Sequence, residues 1–141
     1  MSYLIDTCVI SELVSRQPNQ QVITWIDQVD DQLVFLSVIT VGEIKRGIEK
    51  LPESQRKNRL DDWLNGDLLI RFDDRIVAID LPVMLTWGTL VASLESLGRS
   101  LPAIDSLIAA IALHHDLQLV TRNEKDFAGA GLTIVNPWSE N

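Results

Sequence analysis

Five short, mostly apolar runs, separated by stretches with helical spacing, constrain this chain more than any other feature. The runs are Ser2–Ile5, Leu33–Ser37, Ile76–Ile79, Leu117–Thr121 and Leu132–Val135. A strand buried on both faces reads as a continuous apolar run, whereas a half-exposed strand alternates. The intervening stretches carry apolar residues three and four apart, as an amphipathic helix requires. They hold Ile10, Leu13 and Val14; Val22, Ile26 and Val29; Ile44, Ile48 and Leu51; and Leu60, Trp63 and Leu64 within a charged stretch over 53–69. Further on come Val83, Trp87, Leu90, Leu94 and Leu97, closed by Gly98, and then Ile104, Leu107, Ile108 and Ile111 after Pro102. No two-residue hairpin signal joins consecutive runs. Helical crossovers between strands imply right-handed connections and an α/β fold with a mostly parallel sheet of about five strands.

At 141 residues and 46% hydrophobic content, the chain builds one substantial core, and residues 1–141 read as a single domain. Its longest apolar stretches, 33–41 and 107–113, fall short of the ~20 residues that span a bilayer, so no membrane segment is expected. No basic leader with a cleavage site precedes the first run, which argues against secretion. Cys8 is the only cysteine. It excludes an internal disulfide or a Cys-based zinc site, and it suits a reducing cytoplasm.

The net charge of −8 opposes indiscriminate binding to nucleic acid, because phosphate contacts need cations. The charge is unevenly spread. Lys45, Arg46, Lys50, Arg56, Lys57 and Arg59 face only Glu49 and Glu53 in their segment, which reads as a solvated helix face or as a basic partner-binding face.

Open parallel sheets bind ligands beyond the carboxyl ends of their strands, and acids collect at positions that reach that edge. Asp6 directly follows the first run and suits a helix N-cap. Glu43 completes Thr40-x-x-Glu43, the pattern of a capping box. Asp105 lies in the first turn of the helix opening near Pro102, where the helix dipole favours an acid. Asp126 sits in the loop after the fourth run. Each position has a local structural reason, but together they bring carboxylates to one end of the sheet. Crowded carboxylates repel unless a cation neutralises them. Mg²⁺ fits, since it takes hard oxygen ligands and keeps waters and substrate oxygens in its shell. Such a site serves phosphodiester hydrolysis.

Four blocks resemble the PIN-domain family in order and approximate spacing: Leu4-Ile5-Asp6-Thr7, the stretch 37–44 with Glu43, the stretch 102–110 with Asp105, and the stretch 119–127. Within that family the likeness is to VapC and FitB toxins of bacterial toxin–antitoxin pairs, and the terminal Asn136-Pro137-Trp138 also fits. The resemblance implies a three-layer α/β/α fold and Mg²⁺- or Mn²⁺-dependent endoribonuclease activity, with Asp6, Glu43 and Asp105 as core acids. The fourth acidic position falls to Asp126, or to Asn123 through a neutral oxygen. Thr7 and Thr121 would support the metal shell, and Arg122 would contact RNA phosphate. Cys8 departs from the asparagine usual after Asp-Thr and alters one hydrogen bond beside the site. The resemblance further implies a homodimer, bound by a VapB- or FitA-like antitoxin in a complex that recognises operator DNA.

Other signals have plainer explanations. His114 and His115 stand at a helix C-terminus, where the dipole favours them. Trp63 and Trp87 fall on apolar helix faces and are expected in packing. No Gly-rich phosphate loop or serine or cysteine triad is present. A phosphate-accepting receiver needs a second acid near Asp6, where Thr7 and Cys8 stand. The alternative function is a PIN-like binding module, acting through a DNA-binding partner with little or no nuclease activity.

Overall fold

The computed structural model describes residues 1–139. Strand β1 (Tyr3–Ile5) is flanked by β2 (Val34–Ser37) and β4 (Gln118–Val120), with β3 (Ile76–Val77) and β5 (Ile134–Val135) at the edges. Every pairing in the order β3-β2-β1-β4-β5 is parallel, and Leu4 sits opposite both Phe35 and Leu119. The central strands are thus the continuously apolar ones, with Leu4, Ile5, Leu36, Leu119 and Val120 all buried.

Helices cover both faces. Val9, Ile10, Val22, Ile26, Ile44 and Ile48, from α1 (Thr7–Glu12), α2 (Gln20–Gln28) and α3 (Val38–Glu49), pack with Ile5, Leu36 and Val120 on one side. α4 (Gln55–Trp63) continues through a wider winding at Leu64–Leu68 into the short α5 (Leu69–Arg71), adding Leu64, Leu68 and Phe72 to that layer. On the other side α6 (Leu81–Ser96) and α7 (Ala103–His114) contribute Val83, Leu90, Leu94, Ile108 and Ile111. The expected three-layer α/β/α arrangement is present.

Local chemistry sets the helix ends. Ser37, Ser54 and Asp80 cap α3, α4 and α6 through bonds from the backbone N–H groups of Thr40, Lys57 and Val83. Gly98 adopts the left-handed conformation, φ 71°, as expected from its place after α6.

Three details differ from the sequence pattern. The single helix expected over 53–69 is broken in winding at Leu64–Leu68. Leu97 and Ile104, which continue the helical periods of α6 and α7, are 67% and 45% exposed; Leu97 is the C-cap of α6 and Ile104 stands in the first turn of α7. The capping box at Thr40-x-x-Glu43 does not form. α3 begins one residue after Ser37, so Ser37 is the cap, Thr40 is buried in the first turn and Glu43 lies in the second.

Candidate active site

Asp6 ends β1 and caps α1, with only 7% of its surface exposed. One carboxylate oxygen, Oδ1, accepts the backbone N–H of Thr7 at 2.9 Å. The other, Oδ2, accepts the hydroxyl of Thr121, also at 2.9 Å, from the residue that ends β4. Thr121 is fully buried, and its oxygen in turn accepts the backbone N–H of Asn123 at 3.1 Å. Adjacent parallel strands therefore place an acid and the hydroxyl that orients it side by side. Burial raises the proton affinity of Asp6 above the ordinary carboxylate range, against the opposing bonds from Thr121 and Thr7, and the charge of Glu43 raises it further.

Glu43 is reached from the other side. The hydroxyl of Thr7, the first residue of α1, donates to Glu43 Oε1 at 2.6 Å. Behind it the hydroxyls of Ser37, Thr40 and Thr7 form a row at 3.4 and 3.2 Å. With no capping box, Glu43 has no backbone to satisfy, and its carboxylate is held through Thr7 beside the sheet edge.

Asp105, half-buried in the first turn of α7, completes the group. Burial raises its proton affinity most, followed by the charges of Asp6, Asp126 and Glu43. Acids from three other segments thus lie within electrostatic reach of Asp105. Asp126 stands on a single 3-10 turn, Glu124–Phe127, and is exposed. The backbone carbonyl of Asn123 accepts the N–H of Asp126 at 3.1 Å.

The donor set suits a hard divalent cation: carboxylates and hydroxyls, two of the carboxylates made costly to ionise by burial and mutual charge. Among the described residues no three His, Cys, Asp or Glu side chains converge closely enough to form a ready-made ligand cage.

Two further residues that the resemblance singled out are Cys8 and Arg122. Cys8 Sγ lies 3.9 Å from Asp6 Oδ2 and 3.7 Å from Thr121 Oγ1, in the place expected of the altered hydrogen bond. Burial first, and Asp6 among the other causes, raises its thiol pKa, so it stays protonated and offers only a weak bond. The Arg122 guanidinium lies over the ring of Trp138, 5.4 Å from its centroid, which fixes an exposed cation one residue beyond Thr121. Only the spacing of Trp138 from the end of β5 could have suggested that pairing.

The other sequence signals lie elsewhere. His114 and His115 are exposed at the end of α7, edge to face with one another, and His114 shares a hydrogen bond with Thr86. Trp87 is half-buried, its indole N–H donating to Ser106 at 2.9 Å, and Trp63 packs in the opposite layer. In the basic segment Lys45 pairs with Glu49 and Asp61, each at 2.9 Å, and Lys57 with Glu53 at 3.1 Å. Lys45 belongs to a solvated face, whereas the side chain of Lys57 is only 15% exposed.

Removing the Thr121 hydroxyl tests the support around Asp6. Thr121→Val keeps the volume but leaves Oδ2 without its donor. An outer hydroxyl of this kind is worth about 10- to 100-fold in metal affinity or activity, so phosphodiesterase turnover should fall by that factor with folding intact by circular dichroism. Unchanged turnover would show that Thr121 serves only the backbone of Asn123.

Comparison with known proteins gives a consistent picture. The PIN domain family matches residues 3–131. The toxin FitB of Neisseria gonorrhoeae is 36% identical over 97% of this chain and 99% of its own. A VapC ribonuclease of Sinorhizobium fredii is 34% identical over 96% of each chain. Among solved structures, FitAB bound to a DNA fragment superposes with a TM-score of 0.94 at 34% identity, covering 99% of this chain and 97% of that one.

Proposed function

The chain belongs to the PIN-domain family, and on that premise we propose that it is an endoribonuclease toxin that depends on Mg²⁺ or Mn²⁺ and is neutralised by a cognate antitoxin. The observation that carries this reading is that the charges of Asp6, Asp126 and Glu43, from segments far apart in the chain, all act on Asp105. Asp6, Glu43 and Asp105 would hold the ion. We take Asp126 as the fourth acid in preference to Asn123, because the charge of Asp126 is felt at Asp105.

When bound, the divalent ion supplies charge that neutralises phosphate oxygens and activates water for hydrolysis. The chain's own residues arrange what surrounds it. Thr121 and the Thr7 backbone fix both oxygens of Asp6, and the Thr7 hydroxyl fixes Glu43. Arg122, steadied on Trp138, offers an exposed cation one residue beyond Thr121. It would hold a phosphate of the RNA strand that the carboxylates alone would repel.

Similarity to the FitAB complex supports an antitoxin partner and, with it, operator DNA as the complex's target. A groove of about 250 Å³ between α1, α3 and α4 reaches Thr7 and Glu43 and is lined by Arg56, Leu60 and Trp63. A partly apolar antitoxin segment would fit there and cover the acids. Ile79, Leu81, Met84 and Leu85 are exposed around the start of α6, which supports self-association into a homodimer. No helix among the described residues is long and apolar enough to cross a membrane.

Purified, antitoxin-free protein should cleave RNA in Mg²⁺ or Mn²⁺, lose at least about 100-fold of that rate in excess chelator, and regain it when the ion is restored. Cleavage that persists undiminished in chelator would rule out metal dependence.

A further inference from the structure

We propose that the groove between α2 and the segment from β5 to Trp138 is a nucleobase subsite, taking a residue of single-stranded RNA that flanks the cleaved phosphodiester. The proposal rests on the ribonuclease reading above. The groove encloses about 660 Å³, and its lining includes Gln20, Gln21, Trp25, Gln28, Glu124 and Asn136.

Its chemistry suits a base better than a phosphate. The amides of Gln20, Gln21 and Gln28 are exposed along α2, and each presents a donor beside an acceptor, the pattern that matches the edge of a base. Trp25 is held edge-on against Tyr3, with ring centroids 5.3 Å apart, so it offers an aromatic surface with little freedom to lose. The charged lining residue is Glu124, which repels phosphate but not a neutral base.

The groove is linked to the segments of the active site through a short series of contacts. Asn136 Nδ2 donates to Glu124 Oε2 at 2.9 Å, while Asn136 Oδ1 accepts the backbone N–H of Trp138 at 3.0 Å. Trp138 carries Arg122 on its ring, and Glu124 opens the turn that holds Asp126. With a phosphate held at Arg122, the groove is where we place a neighbouring base of the same strand. Strand addition by a peptide fits less well: β5 is two residues long and is soon followed by Pro137, which has no N–H to donate.

The test uses the intact protein and a single-stranded oligoribonucleotide that the wild type cleaves. The triple variant Gln20→Ala, Gln21→Ala, Gln28→Ala places a good helix former at three exposed helical positions, and its fold is checked by thermal melting. Loss of one set of base contacts should raise KM roughly 5- to 50-fold, with kcat within about 2-fold, and should relax base preference at one position beside the cut. In the wild type, the side-chain amide resonances of those glutamines should shift on titration with the same oligonucleotide in excess chelator, which stops cleavage. An unchanged KM and base preference, with RNA still cleaved, would overturn the subsite and leave the ribonuclease reading standing. A variant that instead loses antitoxin binding would assign the groove to a protein and overturn the proposal. Failure of the wild type to cleave any RNA would remove both.

Discussion

Asp6→Asn should reduce RNA cleavage by roughly 10³-fold or more and at the same time raise the unfolding temperature of the metal-free protein. Both effects follow from one buried group. Asp6 sits 7% exposed at the carboxyl edge of the sheet, and its proton affinity is raised chiefly by burial. A carboxyl with a higher pKa folded than unfolded contributes stability that is fully present below the unfolded pKa and lost as pH rises through the folded one. At neutral pH the metal-free protein therefore bears the cost of ionised Asp6, and Asp105 is shifted in the same direction. The asparagine relieves that cost and keeps the local bonds: its Oδ1 still accepts the Thr7 N–H, and Thr121 turns its hydroxyl to accept from the amide. Thermal melts in chelator should show the variant above the wild type at pH 7, with the gap closing towards pH 4. Added Mn²⁺ should then stabilise the wild type, because an ion that binds only the folded state shifts the equilibrium, and should leave the variant nearly unmoved. A variant that melts below the wild type in chelator would mean that Asp6 is chiefly a structural cap.

How far the sequence could be read depended on the range of the forces involved. The sheet was legible because β1, β2 and β4 are buried on both faces, so burial writes itself into every residue of the strand. Three acids were legible because strand exits and helix entries are fixed by local pattern. Glu43 shows the limit of that reasoning. Thr40-x-x-Glu43 has the spacing of a capping box, but Ser37 stands three residues earlier and caps the helix instead. The competition between Ser37 and Thr40 is decided by where β2 ends, a tertiary matter. Ile104 and Leu97 likewise obey helical periodicity yet are exposed, since the period does not say which turns at a helix end have a neighbour to pack against. The pairing of Arg122 with Trp138, and the groove beside it, depend on contacts across the sheet edge and leave no trace in local pattern.

Glu43→Gln should separate catalysis from assembly. The glutamine keeps an Oε1 to accept the Thr7 hydroxyl, now 2.6 Å away, so the row from Ser37 through Thr40 and Thr7 is preserved. What disappears is a negative charge next to Asp6 and Asp105, where it raises the proton affinity of both. The loss therefore weakens the grip on a divalent ion without disturbing the fold. Cleavage should fall by about 100-fold or more, and the metal concentration giving half-maximal activity should rise. The groove assigned to the antitoxin reaches Glu43, but its apolar lining is Leu60 and Trp63 and the glutamine keeps the size of the side chain, so the complex with antitoxin should bind operator DNA as tightly as before. If cleavage survives the substitution, Glu43 is no ligand and the ion is held by Asp6, Asp105 and Asp126 alone. If operator binding weakens in step with cleavage, the carboxylate belongs to the antitoxin interface, and the acids serve binding before chemistry.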